Sequence, residues 1–320
     1  MSILVVGAGA VGGYFGGRLA QAGRDVTFLV RQRRAAALRE RGLRLVSPGG
    51  AEIIEPNVVT ADALAAGAGL AGLAGPAGMV LVTVKAAGLD AAIAEMAPAV
   101  GPDTAVVPVL NGLRHMDMLN AAFGPARVLG GVALIATQLD GNGDVAVLSP
   151  DASLTIGAQD RQPTPALERA ARSLDGAGFP VTISDDIMAA MWSKWAFIAS
   201  AGAATCLLGG TAGEIVAAGG DASARAIVAE AGLIAAANGY PIAADAREQT
   251  ESMLTAPGSP FASSMYRDLR QGRPVEVDTI LGDLLERGRR HDARTPLLEA
   301  ATVALRVHND RLADGGPART

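Results

Sequence analysis

Unbroken apolar runs alternate with amphipathic segments over the first half of the chain. Ile3–Val6 is wholly apolar, which is typical of a parallel strand buried on both faces. Val11–Gln21 has the helical period, and Gly23 is expected to end that helix. Further helices are predicted at Gln32–Arg41, Leu89–Met96 and Pro165–Leu174, with a loose helix or loop at Ala65–Gly78. Further strands are predicted at Asp25–Val30, Leu43–Val46, Glu52–Ile54, Met79–Val84, Thr104–Val109, Val128–Ile135, Val145–Leu148, Ser153–Ile156 and Val181–Ile183. Leu43–Val46 and Glu52–Ile54 are expected to pair as a hairpin.

The strand pattern stops after Ser184, and only helical periods follow. The predicted helices are Asp186–Ala201, Asp221–Asn238, Ile242–Met253, Asp278–His291 and Pro296–Asn309. The fold class is therefore α/β, with an N-terminal Rossmann-type doubly wound parallel sheet and an all-helical C-terminal domain. The predicted domains are residues 1–185 and 186–320. The Gly/Pro-rich tail Ala313–Thr320 is expected to be frayed.

Composition excludes several classes of function. The 320 residues are half hydrophobic and carry a net charge of −5, with no basic block of the kind that binds nucleic acid. Cys206 is the only cysteine and the three histidines lie far apart, so no disulfide, metal site or serine–histidine triad is expected. The first apolar stretch contains Arg18, Gln21 and six glycines, which makes it a poor membrane span. A soluble cytoplasmic protein without a membrane partner is the expectation.

The segment Gly7–Gly12 fits the pattern G-x-G-x-x-G between a buried strand and a helix, the context of a dinucleotide-binding loop. Gly7 permits a tight turn, Gly9 lets the backbone approach a pyrophosphate, and Gly12 allows close helix packing. Ala10 and Val11 contribute the free N–H groups at the start of the helix. The alternative is a glycine-rich turn without a ligand.

The end of the second strand indicates which dinucleotide binds. An NAD enzyme usually places an acid there for the ribose 2′-hydroxyl, whereas this chain has three arginines within four residues. Guanidinium pairs with a 2′-phosphate, so NADP (NADPH) is the predicted cofactor, with Arg31 as its first contact. The alternative is a solvated helix start, which is expected to hold for Arg33 or Arg34.

Polar residues that could bind or react with a substrate occur at several positions along the rest of the chain. Lys85 follows a middle strand and Asn111-Gly112 the next one, at strand ends where ligands bind in open α/β sheets. Lys194 lies in the first helix of the second domain, in the sequence Trp-Ser-Lys-Trp. Ser264 lies in S-S-M-x-x-D, and Glu276 in G-R-x-x-E-x-D. Together with the glycine-rich loop, these motifs cover nearly the whole chain. Their order resembles that of the ketopantoate reductase (2-dehydropantoate 2-reductase) family.

The resemblance implies an NADPH-dependent oxidoreductase that reduces a 2-keto acid, as in pantothenate biosynthesis. It implies that Lys194 is the general acid, Glu276 orients the substrate hydroxyl and supports the lysine, and Ser264 binds the substrate carboxylate. Lys85 and Asn111 would lie near the nicotinamide and the substrate. The chemistry is sound in itself, because an ammonium group stabilises and protonates the alkoxide that hydride transfer creates.

Each of these residues also has a structural interpretation. Lys194 could extend along an amphipathic helix into solvent, and Lys85 could be an ordinary strand-end lysine. Asn111 could serve the turn alone. Glu276 could be a solvated acid, and Asp278 is expected to be the N-cap of the following helix. The two tryptophans beside Lys194 are expected to be core or pocket wall.

The sequence departs from the family pattern one and two turns after the lysine. The family continues K-x-x-x-N-x-x-x-N, whereas Ile198 and Gly202 occupy those positions here and cannot hydrogen-bond through a side chain. This leaves open ketopantoate, a different and more apolar keto substrate, or an NADP-sensing protein without turnover. An opine-type or other hydroxyacid dehydrogenase would use a histidine base, and no histidine lies in such a motif. Oligomeric state also stays open, with a homodimer through the helical domain as one possibility.

Overall fold

The computed structural model describes residues 1–67 and 75–315, and the chain forms two compact units. Unit 1 comprises Met1–Leu110 and His115–Ile187, and unit 2 comprises Asn111–Arg114 and Met188–Thr320. The boundary expected near residue 185 falls close to the end of unit 1. However, the four residues from Asn111 to Arg114 group with unit 2, although they lie inside the first predicted domain.

Unit 1 is built on a parallel sheet of five strands in the order β5-β2-β1-β6-β7. The strands are β1 (Ser2–Val6), β2 (Asp25–Leu29), β5 (Asn57–Val59), β6 (Met79–Val82) and β7 (Ala105–Pro108). Val6 at the end of β1 lies opposite Leu29 of β2 and Val82 of β6. Strand order reverses between β1 and β6, which makes their carboxyl ends the topological switch point where ligands bind in this class of sheet.

The remaining strands do not extend this parallel sheet but form two smaller mixed sheets. The first has the order β4-β3-β10-β9 and the second the order β12-β11-β8. Their strands are β3 (Leu43–Ser47), β4 (Gly50–Ile54), β8 (Gly130–Leu134), β9 (Thr137–Leu139), β10 (Val145–Val147), β11 (Ser153–Gly157) and β12 (Val181–Ile183). β3 and β4 pair antiparallel, so the predicted hairpin is confirmed. The short turn between β3 and β4 can join only antiparallel neighbours, so this pair cannot belong to the parallel sheet.

Apolar strands and glycine-rich helix faces build the core of unit 1. Ile3, Leu4 and Val5 are fully buried, as expected for a strand covered on both faces. The helices are α1 (Ala10–Gln21), α2 (Gln32–Arg41), α3 (Ala61–Ala65), α4 (Leu89–Met96), α5 (Arg114–Phe123, whose first residue belongs to unit 2) and α6 (Pro165–Leu174). The predicted loose helix or loop Ala65–Gly78 lies partly outside the described residues. A short 3-10 turn, Ala86–Gly88, precedes α4.

Helices are the only regular elements among the described residues of unit 2. Its elements are α7 (Ile187–Leu207, whose first residue belongs to unit 1), α8 (Ala212–Ala217), α9 (Asp221–Ala237), α10 (Ala244–Leu254), α11 (Ser264–Arg270), a π-helical turn (Asp278–Gly282), α12 (Asp283–Arg289) and α13 (Pro296–Ala313). The helix predicted over Asp278–His291 is therefore a π-helical turn followed by a short α-helix. The predicted fraying of the tail falls mainly on residues 316–320, outside the described part. No helix in that part is long and apolar enough to cross a bilayer.

Candidate functional site

The glycine loop of unit 1 lies at the switch point between β1 and β6. Gly7 adopts φ +97°, a region that side chains rarely tolerate, and its N–H donates to the Leu29 carbonyl at 3.0 Å. A Cβ at Gly12 would overlap the Gly7 carbonyl oxygen and the Thr83 hydroxyl. Both glycines are thus required by the fold of the turn, as their spacing predicts.

Thr83 holds this turn closed and was not singled out from the sequence. Its hydroxyl lies 2.9 Å from the Val6 carbonyl oxygen and 2.8 Å from that of Gly7, so it can donate to either. A hydroxyl directly after an apolar strand is the only signal that the sequence offers for this contact. The side chain ties the end of β6 to the loop that follows β1.

Gly9, in contrast, faces open space. It is the N-cap of α1 without a capping side chain, and a Cβ added there would meet nothing within 4 Å. Ala10 and Val11 begin the helix, whose first turn contains no acidic residue. Free N–H groups and the positive end of the helix dipole therefore meet an accessible surface, which is the arrangement that binds a phosphate.

Arg31 and Lys85 lie at the same edge of the sheet as the glycine loop. Arg31 follows β2 and is exposed, and it forms no hydrogen bond or ion pair within the described part of the chain. Its Nη2 atom lies 3.7 Å from the position that a Cβ on Gly88 would take, so it reaches the turn that follows Lys85. Lys85 is also exposed. The structure thus brings together all the cofactor-binding residues predicted in unit 1.

Arg33 and Arg34 differ from each other. Arg33 is exposed, as expected for a solvated helix start. Arg34 is half-buried, and its guanidinium donates to the Ala8 carbonyl at 3.1 Å. The expected solvated side chain is found at Arg33 and not at Arg34, whose guanidinium contacts the glycine loop.

Lys194 lies on α7 in unit 2 with a half-buried side chain. Burial lowers the pKa of its amine to about 8. The amine makes no hydrogen bond or ion pair with any residue that the structure describes. A buried amine that has no hydrogen-bond partner and titrates near neutral pH is suited to proton donation.

The tryptophans beside Lys194 fix the position of its helix. Trp192 and Trp195 are both buried, and their rings contact each other with centroids 5.1 Å apart. The indole N–H of Trp195 donates to the Ile280 carbonyl at 2.8 Å. This hydrogen bond ties α7 to the π-helical turn, so Trp195 is a core residue that links the Lys194 helix to the segment containing Glu276.

Glu276 is half-buried and lies two residues before the π-helical turn. Asn309 holds the neighbouring residue in place, since its side-chain amide donates to and accepts from the Val275 backbone, each at 2.9 Å. Asp278 is not the N-cap that the sequence predicts. Its carboxylate instead accepts hydrogen bonds from Arg306, because the π-helical turn places Val277 in the capping position.

Asn111 belongs to unit 2 and is half-buried. Gly112 beside it adopts φ +77°, and a Cβ there would lie 2.8 Å from the Thr279 carbonyl oxygen. The structure therefore brings the Asn111 turn against the turn that follows Glu276. Turn geometry explains Gly112 but places no requirement on the asparagine side chain.

Ser264 is exposed in the first turn of α11 and forms no hydrogen bond with Lys194 or Glu276 in the described part of the chain. The preceding serine, Ser263, is buried and caps the helix by accepting from the Tyr266 N–H at 3.0 Å. The two serines of the S-S-M motif thus have separate environments. Only Ser264 is available to a ligand.

The helix face beyond Lys194 is apolar. Ile198 and Gly202 follow at intervals of four residues, which places all three positions on one face of α7. A Cβ at Gly202 would overlap the Met265 sulfur, so the methionine occupies the space beside the glycine. Separately, no group of three potential metal ligands occurs among residues 1–67 and 75–315.

Comparison with known proteins gives consistent matches over both units. A family model described as "Ketopantoate reductase PanE/ApbA" matches residues 3–161, and one described as "Ketopantoate reductase PanE/ApbA C terminal" matches residues 186–309. The Bacillus subtilis protein named "Uncharacterized oxidoreductase YkpB" is 32% identical over 309 residues, which cover 96% of this chain and 99% of that protein.

Two further proteins carry the same family name. A "2-dehydropantoate 2-reductase" from Mesorhizobium japonicum is 30% identical over 96% of this chain and 97% of its own length. The crystal structure of a PanE/ApbA family ketopantoate reductase from Ralstonia eutropha JMP134 is similar with a TM-score of 0.84 at 26% identity. That match covers 98% of this chain and 100% of the solved chain.

Proposed function

The chain belongs to the ketopantoate reductase family of oxidoreductases, and we propose that it reduces a 2-keto acid to a 2-hydroxy acid with NADPH. The single observation that carries this proposal is the amine of Lys194. It has no hydrogen-bond partner among the described residues, and burial lowers its pKa to about 8. Unit 1 is assigned to cofactor binding through the glycine loop, Arg31 and Lys85. Unit 2 is assigned to the keto acid.

The residues of the chain are suited to the steps of this reaction. Bound NADPH supplies a hydride to the C2 carbonyl carbon, and the electron pair of the C=O bond moves to oxygen. Lys194 stabilises that oxygen and transfers one proton to it, leaving a neutral amine. In this proposal Glu276 orients the substrate hydroxyl, Ser264 binds the carboxylate, and Asn111 lies near the reacting carbon.

Residue usage supports a chemical role for Lys194. Lys85 and Lys194 are the only lysines among the 27 lysine and arginine residues, so every other one is arginine. Arginine cannot give up a proton at neutral pH, whereas a desolvated lysine can. The rare lysine at position 194 therefore suits a role in which the amine must give up a proton.

Replacement of Lys194 tests the proposal. Lys194→Ala is expected to lower kcat by about 10²- to 10⁴-fold, the usual contribution of a positioned general acid. Lys194→Arg keeps the charge and is expected to lose turnover as well, because guanidinium does not donate the proton. Both variants should keep the NADPH affinity of the wild type. Unchanged turnover in Lys194→Ala would refute the assignment.

The choice of NADPH over NADH rests on Arg31. Its exposed guanidinium lacks a partner within the described residues, and no acid follows β2 to repel a 2′-phosphate. Arg31→Ala is expected to raise the NADPH dissociation constant by about tenfold or more and to leave that of NADH within a factor of about two. Equal affinities for both cofactors in the wild type would show that the preference is absent.

A more apolar keto acid is a second candidate substrate, and the face formed by Ile198, Gly202 and Met265 favours it. None of these side chains can hydrogen-bond a substrate hydroxyl, and Met265 fills the space beside Gly202. A buried hydroxyl without a partner would cost about 1–3 kcal/mol of binding free energy. We therefore expect 2-keto acids with branched aliphatic or aryl groups to react faster than ketopantoate.

The ratio of kcat/KM for the two substrate classes decides between them. The double variant Gly202→Asn/Met265→Ala makes room for an amide on this face, and it should shift the ratio towards ketopantoate. Met265→Ala alone is the matched control, since it opens the space without adding an amide. If wild type already prefers ketopantoate and the double variant changes nothing, this face does not select the substrate.

A further inference from the structure

We infer that Arg34 is a positioning residue for the dinucleotide pyrophosphate, acting through the peptide between Ala8 and Gly9. This inference rests on the proposed function, because it presumes that the glycine loop binds a nicotinamide dinucleotide. The sequence gives Arg34 no such role. Its geometry distinguishes it from Arg31 and Arg33, which are both exposed at the start of the same helix.

The first step concerns the carbonyl of Ala8. Ala8 is buried at 4% exposure, and no backbone N–H of the described residues donates to its oxygen. The Arg34 Nε–H donates to it at 3.1 Å. A buried carbonyl requires a donor, so Arg34 supplies what the loop itself does not.

The second step follows from the planarity of the peptide bond. In a trans peptide the C=O of one residue and the N–H of the next point in opposite directions. Holding the Ala8 carbonyl towards Arg34 therefore directs the Gly9 N–H away from it. That N–H has no acceptor among the described residues, and the space around Gly9 is open. The N–H is thus oriented and free for an anionic ligand.

The third step concerns the second hydrogen bond of the Arg34 guanidinium, which is made to a rigid turn. The Arg34 Nη1–H donates to the Gly143 carbonyl at 2.8 Å, in the turn between β9 and β10. That turn is held by Asp140, whose carboxylate accepts from the Asn142 N–H at 2.9 Å and the Asp144 N–H at 2.8 Å. One planar guanidinium therefore ties the glycine loop to a fixed turn of the neighbouring sheet through two separate nitrogens, a rigid geometry that a lysine ammonium does not have.

The pyrophosphate is common to NADPH and NADH, and this determines the effect to be measured. Arg34 orients the loop that faces the pyrophosphate, so its loss should weaken both dinucleotides by the same factor. Arg31 faces the 2′-phosphate in the proposed function, so its loss should weaken NADPH alone. The two arginines are separable by their selectivity, although they lie three residues apart.

The test measures the dissociation constants of NADPH and NADH for the full-length protein by fluorescence titration. Arg34→Ala is expected to raise both constants by the same factor, about tenfold, and to raise the KM for cofactor while kcat at saturating cofactor stays within about twofold. Arg39→Ala is the matched control. Arg39 lies on the same helix and donates to the Val58 carbonyl at 3.4 Å, away from the loop. Its variant should bind both cofactors as the wild type does.

Three outcomes would overturn the inference. Unchanged dissociation constants in Arg34→Ala would show that the loop needs no such tie, and a loss confined to NADPH would show a direct phosphate contact. A fall in kcat without a rise in KM would indicate a general structural defect. If Arg34→Ala does not fold, Arg34→Lys carries the same test, because it keeps the charge without the two-pronged contact. A wild type that binds neither dinucleotide would instead refute the proposed function.

Discussion

At the residue scale, Gly7, Gly9 and Gly12 occupy one loop for three different physical reasons. Gly7 needs a positive φ, Gly12 has no room for a Cβ, and Gly9 has ample room around it. The fold explains the first two. In the proposed function, the third position is glycine because the dinucleotide approaches the backbone there.

A matched pair of substitutions separates these reasons. Gly12→Ala is expected to cost about 1–3 kcal/mol in the free energy of unfolding, because its Cβ would overlap backbone and Thr83. Gly9→Ala should change that free energy by less than about 1 kcal/mol and still weaken cofactor binding by tenfold or more. Urea unfolding and cofactor titration measure the two quantities. If Gly9→Ala bound cofactor normally, the loop would not contact the pyrophosphate.

The pKa of Lys194 is directly measurable because the sequence contains only two lysines. Burial lowers this pKa from 10.5 to about 8, and the general acid must be protonated to act. The reduction rate should therefore be maximal below pH 8 and fall as pH rises through that value. In NMR of protein with ¹³C-labelled lysine side chains, one of two signals should titrate near pH 8, and Lys85→Arg identifies it. A Lys194 signal that titrates near 10.5 would contradict the role of Lys194 as the general acid.

At the element scale, several helices were predictable from their amphipathic period, but α5 was not predicted although it spans ten residues, and neither were the shortest helices. The bounds of α2, α4 and α6 coincide with those that the pattern predicts. α8 and α11 have six and seven residues, too few to show a period. The signal for α8 was its capping box, in which Thr211 and Glu214 each bond the other's backbone.

The pairing of strands and the π-helical turn could not be predicted from the sequence pattern. β10 pairs in parallel with β3 although much of unit 1 separates them in sequence, and no local feature of either strand specifies its partner. Helical periodicity likewise does not distinguish a π-helical turn from an α-helix over five residues. The contacts of Trp195 and Asn309 that fix this turn became visible only in the structure.

Asn309 is expected to act as a positioning residue for Glu276. Asn309→Ala removes both hydrogen bonds to the Val275 backbone and should cost about 1–3 kcal/mol in the free energy of unfolding. In the proposed function it should also lower kcat/KM for the keto acid by about tenfold, with cofactor affinity unchanged. Asn238→Ala is the matched control, since Asn238 donates to the Ile234 carbonyl within α9. Equal kinetic effects of both variants would exclude a specific role for Asn309.

At the scale of the whole molecule, the order of motifs was sufficient to predict the family but not the grouping of residues. Each predicted cofactor residue from Gly7 to Lys85 belongs to unit 1, and Lys194, Ser264 and Glu276 belong to unit 2. Asn111 is the exception, since it follows a strand of unit 1 and packs with unit 2. Sequence position alone could not show this, because the grouping depends on the contact between Gly112 and Thr279.

The central claim is that hydride passes from NADPH to the C2 carbon of a 2-keto acid. Incubation with NADPH deuterated at the transferable position, followed by mass spectrometry of the acid, tests it most directly. The claim predicts a 2-hydroxy acid with one deuteron at C2, formed by the wild type and formed about 10²- to 10⁴-fold more slowly by Lys194→Ala. If NADPH binds tightly but no keto acid of a panel from ketopantoate to aryl 2-keto acids gains deuterium, the protein is a cofactor-binding sensor and not a reductase.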